Sequence, residues 1–445
     1  MSRRFAVSLL LALSAMPVFA ADPPSPEVPV RPASAPARDH VDLADLRAFT
    51  AVYSLVRQAY VDDVDDHRLM QAAIRGLLAG LDPHSEYLGK EQLEDLTEDT
   101  TGSYAGLGIE VLQVDGSLRV IAPIDDSPAE RAGIKAGDTI VRIDGKVLQA
   151  DDLETAIASL RGKPGTPITL SVLHEKQTVP VDVPLKREVI RVASVRGRLL
   201  EPGYAYLRIG QFQAETGAQL RRRVERLIAD NKAPLRGAVL DLRSNPGGLL
   251  TSAVEVGDEF LDSGVIVSTH GRVKESDLSF RATPGDLLDG APMVVLVDNG
   301  TASAAEIVAG ALKDNHRGLL MGRRTFGKGS VQTVLPLDAE HAVKLTTARY
   351  FTPNGTSIQA AGIQPDIALA DLSLSQRTGE PSLSYGERDL TNHLKGANEA
   401  EGGDAAGAEK RDLQDYALNE ALNALKALAL RGKAPSQQPD ASSKG

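Results

Sequence analysis

The spacing of apolar residues predicts three kinds of structure along the chain. Two groups of apolar residues recur at helical spacing near the amino terminus: Leu43, Leu46, Phe49, Tyr53 and Val56, then Met70, Ala73, Ile74, Leu77 and Leu78. The turn Leu81-Asp82-Pro83-His84 ends the second helix. From Gly102 to about Lys186 the pattern changes to short alternating strands that are broken by glycine turns.

A layered α/β region follows, over about Glu188 to Leu372. Predicted strands alternate with helices there: Tyr204–Ile209, Ala214–Ala229, Gly237–Leu242, Leu249–Leu261, Val265–Ser268 and Met293–Val297. Beyond Leu372 the strand pattern stops. An amphipathic helix is predicted over 409–431, with one apolar face formed by Leu418, Ala421, Leu422, Leu425 and Leu428.

Composition limits the classes of function. The chain has 445 residues, enough for two or three domains, and its 42% hydrophobic and 24% charged residues are ordinary for a globular protein. A net charge of −11 argues against nucleic acid as the main partner. Because the chain has no cysteine, disulfides and thiol catalysis are excluded.

The first twenty residues are typical of an export signal. Arg3 and Arg4 precede an apolar run from Phe5 to Met16, and Val18-Phe19-Ala20 offers a cleavage site. We expect removal of residues 1–20 and a periplasmic location; a retained membrane anchor is the alternative. Residues 21–40 contain repeated prolines and predict an extended linker.

Ser303 is the candidate nucleophile. It lies in Gly300-Thr301-Ala302-Ser303-Ala304-Ala305-Glu306, between the apolar strand Met293–Val297 and the helical stretch Glu306–Leu312. A serine on a strand-to-helix turn projects from the carboxyl edge of a sheet, where backbone N–H groups and the helix dipole stabilise negative charge. The alternative is a serine that only caps the helix.

Lys328 is the candidate base, within Thr325-Phe326-Gly327-Lys328-Gly329-Ser330-Val331-Gln332. Free lysine titrates near pH 10.4, so a lysine base needs a lowered pKa, which burial provides. We expect Phe326 and Val331 to desolvate the amine and the neutral Gln332 to orient it. The alternative is an exposed surface lysine.

A glycine turn, Asp241-Leu242-Arg243-Ser244-Asn245-Pro246-Gly247-Gly248, follows another predicted strand. Gly247 and Gly248 allow backbone N–H groups to approach a ligand closely, although the same glycines would suit a plain tight turn. No G-x-S-x-G or H-E-x-x-H motif occurs. The histidines considered for catalysis or metal binding are dispersed (His84, His270, His316 and His341), and we predict no metal and no cofactor.

Residues 101–187 resemble a PDZ domain. The resemblance rests on Gly106-Leu107-Gly108-Ile109 and on the segment from Ser127 to Gly145, which contains Ala132-Gly133-Ile134-Lys135-Ala136-Gly137-Asp138. It implies that Gly106, Leu107, Gly108 and Ile109 form a loop that binds the terminal carboxylate of a peptide, with the helix Asp152–Leu160 as the other wall of the groove.

Five motifs in order resemble the carboxyl-terminal processing peptidases, also called tail-specific proteases. They are the Gly106 and Gly247 loops, the Ser303 and Lys328 segments, and Leu345-Thr346-Thr347-Ala348-Arg349-Tyr350-Phe351-Thr352-Pro353-Asn354-Gly355. The resemblance implies a multidomain α+β protein with a circularly permuted PDZ domain and a crotonase-like α/β core. It implies that Ser303 is the nucleophile, Lys328 the base and Gln332 its partner, with Gly247 or Gly248 and Ala304 as the oxyanion hole.

The expected organisation is a signal peptide at 1–20, a linker at 21–40, a helical region at 41–100, the PDZ domain at 101–187, the protease core at 188–372 and an extension at 373–445. The implied partners are exported proteins bound by their carboxyl termini, and the need for an adaptor protein is left open. Arg161, at the end of the groove helix, is a candidate switch between PDZ domain and protease, or simply a solvated cation at a helix end.

The terminal helices are expected to mediate homo-oligomer contacts, with docking on the same chain as the alternative for the helix at 409–431. Two other functions are open from the residues: a catalytically silent PDZ scaffold and a crotonase-like acyl-thioester enzyme. The scaffold leaves Ser303 and Lys328 unexplained, and the thioester enzyme leaves the PDZ motif and Lys328 unexplained.

Overall fold

The structure is a computed structural model that describes residues 41–372, except 115, 116, 125, 150, 152, 176 and 371, together with residues 415–431. The predicted signal peptide and linker lie outside the described residues, as do positions 409–414 of the predicted terminal helix. None of the helices described is both long enough and apolar enough to cross a membrane.

Two helices begin the described chain, as the apolar spacing predicts. Helix α1 is Leu43–Ala59, and Asp42 caps it by accepting a hydrogen bond from the Ala44 N–H at 3.0 Å. Helix α2 is Asp66–Ala79. The chain divides into one unit that ends at Ala72 and another that begins at Ala73. Helix α1 buries none of its residues, and its large apolar side chains are exposed: Leu43, Leu46, Phe49, Val52 and Leu55.

Two elements that the apolar pattern does not predict follow the turn after α2. Strand β1 is Glu86–Leu88 and helix α3 is Lys90–Thr101. Strand β1 joins a sheet of the protease region, where Glu86 lies opposite Lys344 on an antiparallel neighbour. A three-residue strand and a polar helix carry too little periodicity to be recognised locally, so only the tertiary pairing reveals their place.

The region predicted as PDZ forms its own six-stranded sheet. Its elements, in chain order, are β2 Ser103–Gly106, β3 Ile109–Val114, β4 Ser117–Pro123, α4 Pro128–Arg131, β5 Thr139–Ile143, β6 Lys146–Val147, α5 Leu153–Leu160, β7 Pro167–Leu173, β8 Val181–Lys186 and β9 Glu188–Arg191. Strands pair in the order β3-β4-β5-β7-β8, and β6 pairs with β5. Strands β2 and β9 form a separate two-stranded ladder that brackets this region.

The protease region is built on a second six-stranded sheet. Its elements are β10 Val195–Glu201, β11 Tyr204–Ile209, α6 Thr216–Asn231, β12 Gly237–Asp241, α7 Leu250–Asp258, β13 Val265–Gly271, β14 Leu278–Arg281, β15 Met293–Val297, α8 Ala304–Asp314, β16 Leu319–Gly322, β17 Ser330–Pro336, β18 Ala342–Phe351 and β19 Ile367–Ala368. The order is β10-β11-β12-β15-β16-β19, and β11, β12, β15 and β16 run parallel. The loops after these strands therefore meet at one edge.

Both faces of this sheet are covered, which explains the continuous apolar runs of its strands. Ala238 and Leu240 of β12 point toward the core formed with α6, α7 and α8, while Val239 between them belongs to a cluster on the opposite face. The remaining strands form a five-stranded sheet of order β1-β18-β13-β14, with β17 also paired to β18.

Helix α9, Tyr416–Arg431, covers that opposite face. Its Ala421, Leu422 and Leu425 are buried with Val239 and Val294 of the sheet. A Cβ on Gly237 would lie 2.7 Å from Leu425 Cδ1, so the glycine permits this close contact. The expectation that this helix contacts another copy is therefore corrected: its apolar face is used by its own chain.

Candidate active site

Ser303 is held in a strained turn at the carboxyl end of β15. Its backbone has φ 55° and ψ −117°, a conformation that L-residues rarely adopt and that costs of order 1–3 kcal/mol. The next residue, Ala304, begins α8. The strain is offset by a surrounding hydrogen-bond network, and strain of this kind is concentrated at functional sites.

The glycine turn after β12 packs directly against Ser303, because β12 and β15 are parallel neighbours. A Cβ built on Gly247 would lie 2.7 Å from Ser303 Cβ. A Cβ on Gly248 would lie 2.1 Å from the Phe212 carbonyl oxygen, so no side chain fits there. The two glycines therefore allow an approach that any larger residue would block.

The backbone donors beside Ser303 are not equivalent. The Gly247 N–H donates to Asn245 Oδ1 at 2.9 Å, and Asn245 is itself fully buried. The N–H groups of Gly248 and Ala304 make no hydrogen bond within the described part of the chain. Of the two glycines predicted as alternatives, Gly248 is thus the one with an available donor, and Ala304 provides the second at the start of a helix.

Lys328 lines the same cavity as Ser303, Gly248 and Ala304. The cavity has a volume of about 530 Å³. The Lys328 side chain forms no ion pair with any described carboxylate. Burial lowers the pKa of Lys328, and the charge of Lys344 lowers it further, while Glu86 opposes the shift.

The source of this desolvation differs from the sequence prediction. Phe326 is 64% exposed and does not line the cavity, so it does not shield the amine. Val331 does line the cavity, together with Tyr350. Of the two apolar residues expected to desolvate the amine, only Val331 lies on the wall of the same cavity, because Phe326 points to solvent.

Glu306 joins the serine and lysine segments through their backbones. This carboxylate is fully buried in the first turn of α8. Its Oε2 accepts hydrogen bonds from the N–H groups of Ser303 at 2.9 Å and Lys328 at 2.8 Å. Its Oε1 accepts from Thr325 Oγ1 at 2.5 Å and the Gly327 N–H at 2.8 Å. One side chain therefore sets the position of both loops.

Gln332 lines the cavity but does not hydrogen bond to the lysine. Its Nε2 donates to Ser330 Oγ at 2.9 Å and to Thr346 Oγ1 at 3.4 Å. Thr346 Oγ1 in turn donates to Asp82 Oδ1 at 3.1 Å. Although burial raises the pKa of Asp82, hydrogen bonds from Ser85, His84 and Thr346 outweigh that effect and lower it.

The turn after α2 and strand β1 supply two titratable neighbours of Lys328, His84 and Glu86. Burial lowers the pKa of His84, and the charge of Lys328 adds to this shift. Lys344, also on the cavity wall, forms a close ion pair with Glu86. The two members of this ion pair shift the pKa of Lys328 in opposite directions, and both effects are smaller than that of burial.

Tyr350 lies beneath the serine and lysine and is only 3% exposed. Its hydroxyl donates a close hydrogen bond to the Lys328 carbonyl oxygen. Burial raises the pKa of Tyr350, and a hydrogen bond with the Ser303 side chain opposes that shift. A tyrosine that remains neutral here can contact both loops without adding charge.

The predicted carboxylate loop forms one wall of a separate cavity of about 130 Å³ in the PDZ region. Leu107, Gly108 and Ile109 line it, and Ile157 and Leu160 of α5 form the other side. Gly106 precedes this wall as the last residue of β2 and is buried. The N–H groups of Leu107 and Gly108 have no hydrogen-bond partner in the described chain.

Arg161 lines this groove and reaches the helix that borders the other cavity. Its guanidinium donates to Glu98 of α3 at 2.6 Å and lies 5.5 Å from the centre of the Tyr104 ring. Leu96 and Thr100 of the same helix line the cavity of Ser303. The ion pair therefore bridges the two cavities through α3.

Sequence patterns alone assigned no role to Glu306, Tyr350 or Lys344. For Glu306 a signal exists, because Ser303 and Glu306 have the S-x-x-E spacing of a helix-capping box. Tyr350 and Lys344 reach the site only through the pairing of β18 with β17 and β1. Tyr350 lies within the motif from Leu345 to Gly355, but the spacing in that motif does not place it beside Lys328, and Lys344 lies outside the motif.

Three family models match the chain. The model of peptidase family S41 matches residues 203–369, that of the PDZ domain residues 105–185, and one described as the activating protease CtpB N-terminal domain residues 26–92. The two larger matches coincide with the sheet that carries Ser303 and with the six-stranded sheet before it. The chain is thus a serine-type peptidase with a PDZ domain.

Relatives extend this match over most of the chain. A carboxy-terminal-processing protease of Bartonella bacilliformis is 43% identical over 386 residues, covering 86% of this chain and 88% of the relative. The carboxy-terminal processing protease CtpA of Bacillus subtilis is 35% identical over 316 residues, covering 71% and 67%. The chain belongs to the carboxy-terminal-processing proteases of peptidase family S41.

Among solved structures, a photosystem II D1 C-terminal processing protease is 31% identical, covers 74% of this chain and 94% of its own, and has a TM-score of 0.43. Family membership removes the acyl-thioester enzyme as an alternative, because the relatives are named as proteases.

Proposed function

We propose that the protein cleaves polypeptides by a Ser-Lys mechanism in which Ser303 is the nucleophile and Lys328 the general base. The observation that carries this proposal is the shared cavity: a strained serine and a lysine of lowered pKa line it together with two unpaired backbone N–H groups. A base must be neutral to accept a proton, and a lowered pKa increases the fraction of neutral amine at a given pH.

In this mechanism Lys328 removes the Ser303 proton as the serine oxygen attacks the scissile carbonyl. The N–H groups of Gly248 and Ala304 hold the oxyanion. The lysine then gives its proton to the leaving amine, and water hydrolyses the acyl-enzyme. Gln332 lies on the cavity wall, where its Nε2 donates to Ser330 and Thr346. If the side chain gave up these hydrogen bonds and turned toward Lys328, it would orient the lysine.

Substrates are exported proteins that present a free carboxyl terminus to the PDZ groove. The free N–H groups of Leu107 and Gly108 support this proposal, since a backbone loop of this kind suits a carboxylate. In this proposal the signal peptide at 1–20 is removed on export and the protein is located in the periplasm. The need for an adaptor protein is a separate question that substrate trapping with Ser303→Ala would answer.

The proposed organisation keeps the boundaries 41–100, 101–187, 188–372 and 373–445, with a permuted PDZ domain and a crotonase-like core. The exposed apolar face of α1 supports homo-oligomer formation through the amino-terminal helix. Removal of that face, as in Leu46→Ser with Phe49→Ser, should reduce the mass measured by light scattering to that of the monomer.

The direct test compares Ser303→Ala and Lys328→Met with Ser279→Ala, a control serine that is exposed on β14. We expect the first two to reduce peptide cleavage by at least about 10³-fold and the control to leave it unchanged. Retention of cleavage by either site variant would refute the mechanism. A peptide with an amidated terminus tests the groove: equal rates for the free and amidated forms would refute tail recognition.

A further inference from the structure

Another cavity, separate from the cavity of Ser303 and from the PDZ groove, lies where the PDZ region connects to the protease region. It has a volume of about 330 Å³, and the polar residues of its lining are four arginines and a glutamine: Arg191, Arg222, Arg223, Arg226 and Gln219. Arg191 is the last residue of β9, and the other four residues belong to α6. None of these residues lines the cavity of Ser303, so the two cavities are distinct.

The four guanidinium groups lack counter-charges. Within the described residues none of them forms an ion pair or a side-chain hydrogen bond, and no carboxylate lines the cavity. By contrast, Arg221, their neighbour on α6, forms an ion pair with Glu259, with 2.8 Å between nitrogen and oxygen. Arg191, Arg222 and Arg226 are exposed and Arg223 is half-buried, so four positive charges share one cavity wall that has no carboxylate.

The fold holds these charges together. Residues 222 and 226 are one helical turn apart and therefore lie on the same side of α6. Arg223 packs closely on β10, since a Cβ on Gly197 would lie 2.8 Å from Arg223 Cγ. Like charges at such spacing repel one another, and a bound anion relieves that repulsion.

Gln219 adds a neutral donor whose direction is fixed. Its Oε1 accepts hydrogen bonds from the Ser194 N–H at 2.9 Å and from Ser194 Oγ at 3.3 Å. The other end of the amide, Nε2, has no partner in the described chain. The cavity wall thus offers hydrogen-bond donors from five side chains.

We propose that this cavity binds a multiply charged phosphate-type oxyanion. Guanidinium groups match the oxygens of phosphate in bidentate pairs, and two linked phosphate groups carry a charge comparable to that of four arginines. A single carboxylate would neutralise only one of them. The anion would connect Arg191 at the end of the PDZ region to α6 of the protease region.

The test measures binding of inorganic pyrophosphate to the full chain by isothermal titration calorimetry. Binding of vesicles made of equal parts phosphatidylcholine and phosphatidic acid, whose phosphomonoester headgroup can carry two negative charges, separates a lipid headgroup from a free phosphate when measured by co-sedimentation. The variant is Arg222→Gln with Arg226→Gln. The matched control is Arg221→Gln, which removes the same type of charge from the same helix outside the cavity.

We expect the double variant to weaken binding by at least about tenfold and the control to leave it within about twofold. Loss of pyrophosphate binding supports a free phosphate as the ligand, and loss of vesicle binding alone supports a headgroup. Failure of the native chain to bind either probe would overturn the proposal, as would equal binding by the double variant. Unchanged peptide cleavage by the double variant verifies that it is folded.

Discussion

Glu306 shows how a single buried carboxylate can fix the positions of two segments of the chain, those of Ser303 and Lys328. All four hydrogen bonds that it accepts come from the serine and lysine segments. Glutamine has the same shape, but its amide nitrogen cannot accept a hydrogen bond. In the Glu306→Gln protein, the two donors that now bond to one of the carboxylate oxygens would face the amide NH₂ group, which is itself a donor. These groups would be left without partners in the protein interior.

We therefore expect Glu306→Gln to lower the free energy of unfolding by about 1–3 kcal/mol and to reduce kcat more than it raises KM. Urea denaturation and steady-state kinetics on a peptide measure the two effects. Glu275→Gln is the control, because Glu275 is exposed. A Glu306→Gln protein with native stability and native kcat would contradict this role.

The pKa of Lys328 gives a second prediction, based on two charges that act in opposite directions. Lys344→Met removes a like charge, so the pKa of Lys328 should rise and the ascending limb of the pH–rate profile should move to higher pH. Glu86→Gln removes an attractive charge, so the limb should move to lower pH.

Profiles of kcat/KM against pH for both variants, with the exposed Lys274→Met as control, measure these shifts. His84 also lies near Lys328, and its lowered pKa keeps it neutral over the alkaline part of the profile. Shifts of the same sign in both variants would show that the ion pair acts through structure rather than through charge.

At the scale of elements, α9 is the segment whose role depends most on packing. Isolated amphipathic helices are marginal in water, and α9 is stabilised by the sheet face that it covers. Arg243 and Asp415 form an ion pair just before the helix, at 2.7 Å, and Arg243 also pairs with the buried Asp241 at 2.6 Å. Its apolar face and its first turn are thus both attached to the protease sheet.

We expect Leu425→Ala to lower the free energy of unfolding by about 2–5 kcal/mol, because Leu425 is fully buried against Gly237. Leu430→Ala, on the same helix but 68% exposed, should change it by less than about 0.5 kcal/mol. Urea denaturation followed by circular dichroism compares them. Equal effects of the two substitutions would mean that α9 is not docked in solution.

Elements with a continuous apolar pattern were predictable, and those without one were not. Met293–Val297 was predicted with its exact bounds, whereas α8 begins at Ala304, two residues before the stretch predicted from Glu306. Strand β1 and helix α3 carry no such pattern, because β1 is three residues long and α3 buries none of its residues. Pairing with β18 and proximity to the cavity define their roles.

At the scale of the whole molecule, the Arg161–Glu98 pair connects the PDZ groove to helix α3, which forms part of the wall of the cavity of Ser303. Arg161 lines the PDZ groove, so a peptide tail bound there would displace the Arg161 side chain. Because Arg161 is bonded to Glu98 of α3, such a displacement would shift α3 and with it Leu96 and Thr100 on the wall of the cavity of Ser303. The charge pair is mostly exposed, so its role is better tested by regulation than by stability.

We expect Arg161→Ala and Glu98→Gln each to change the ratio of tail-stimulated to basal cleavage by about fivefold, and the double variant to change it no further. Arg131→Ala breaks another exposed ion pair of the PDZ region, with Glu188, and is the control. An unchanged ratio in Arg161→Ala would assign this residue to a solvated helix end.

The sequence alone determined the order of the domains, the candidate serine and lysine, and the glycine turns, because these depend on local patterns and on short motifs. Tertiary structure decided which N–H groups are free, that Phe326 is exposed, that Gln332 bonds to Ser330, and that α9 folds back. It also brought Lys344, Tyr350 and the turn at His84 to Lys328. Contacts between residues distant in sequence set hydrogen bonds, burial and charge, and these cannot be derived from local spacing.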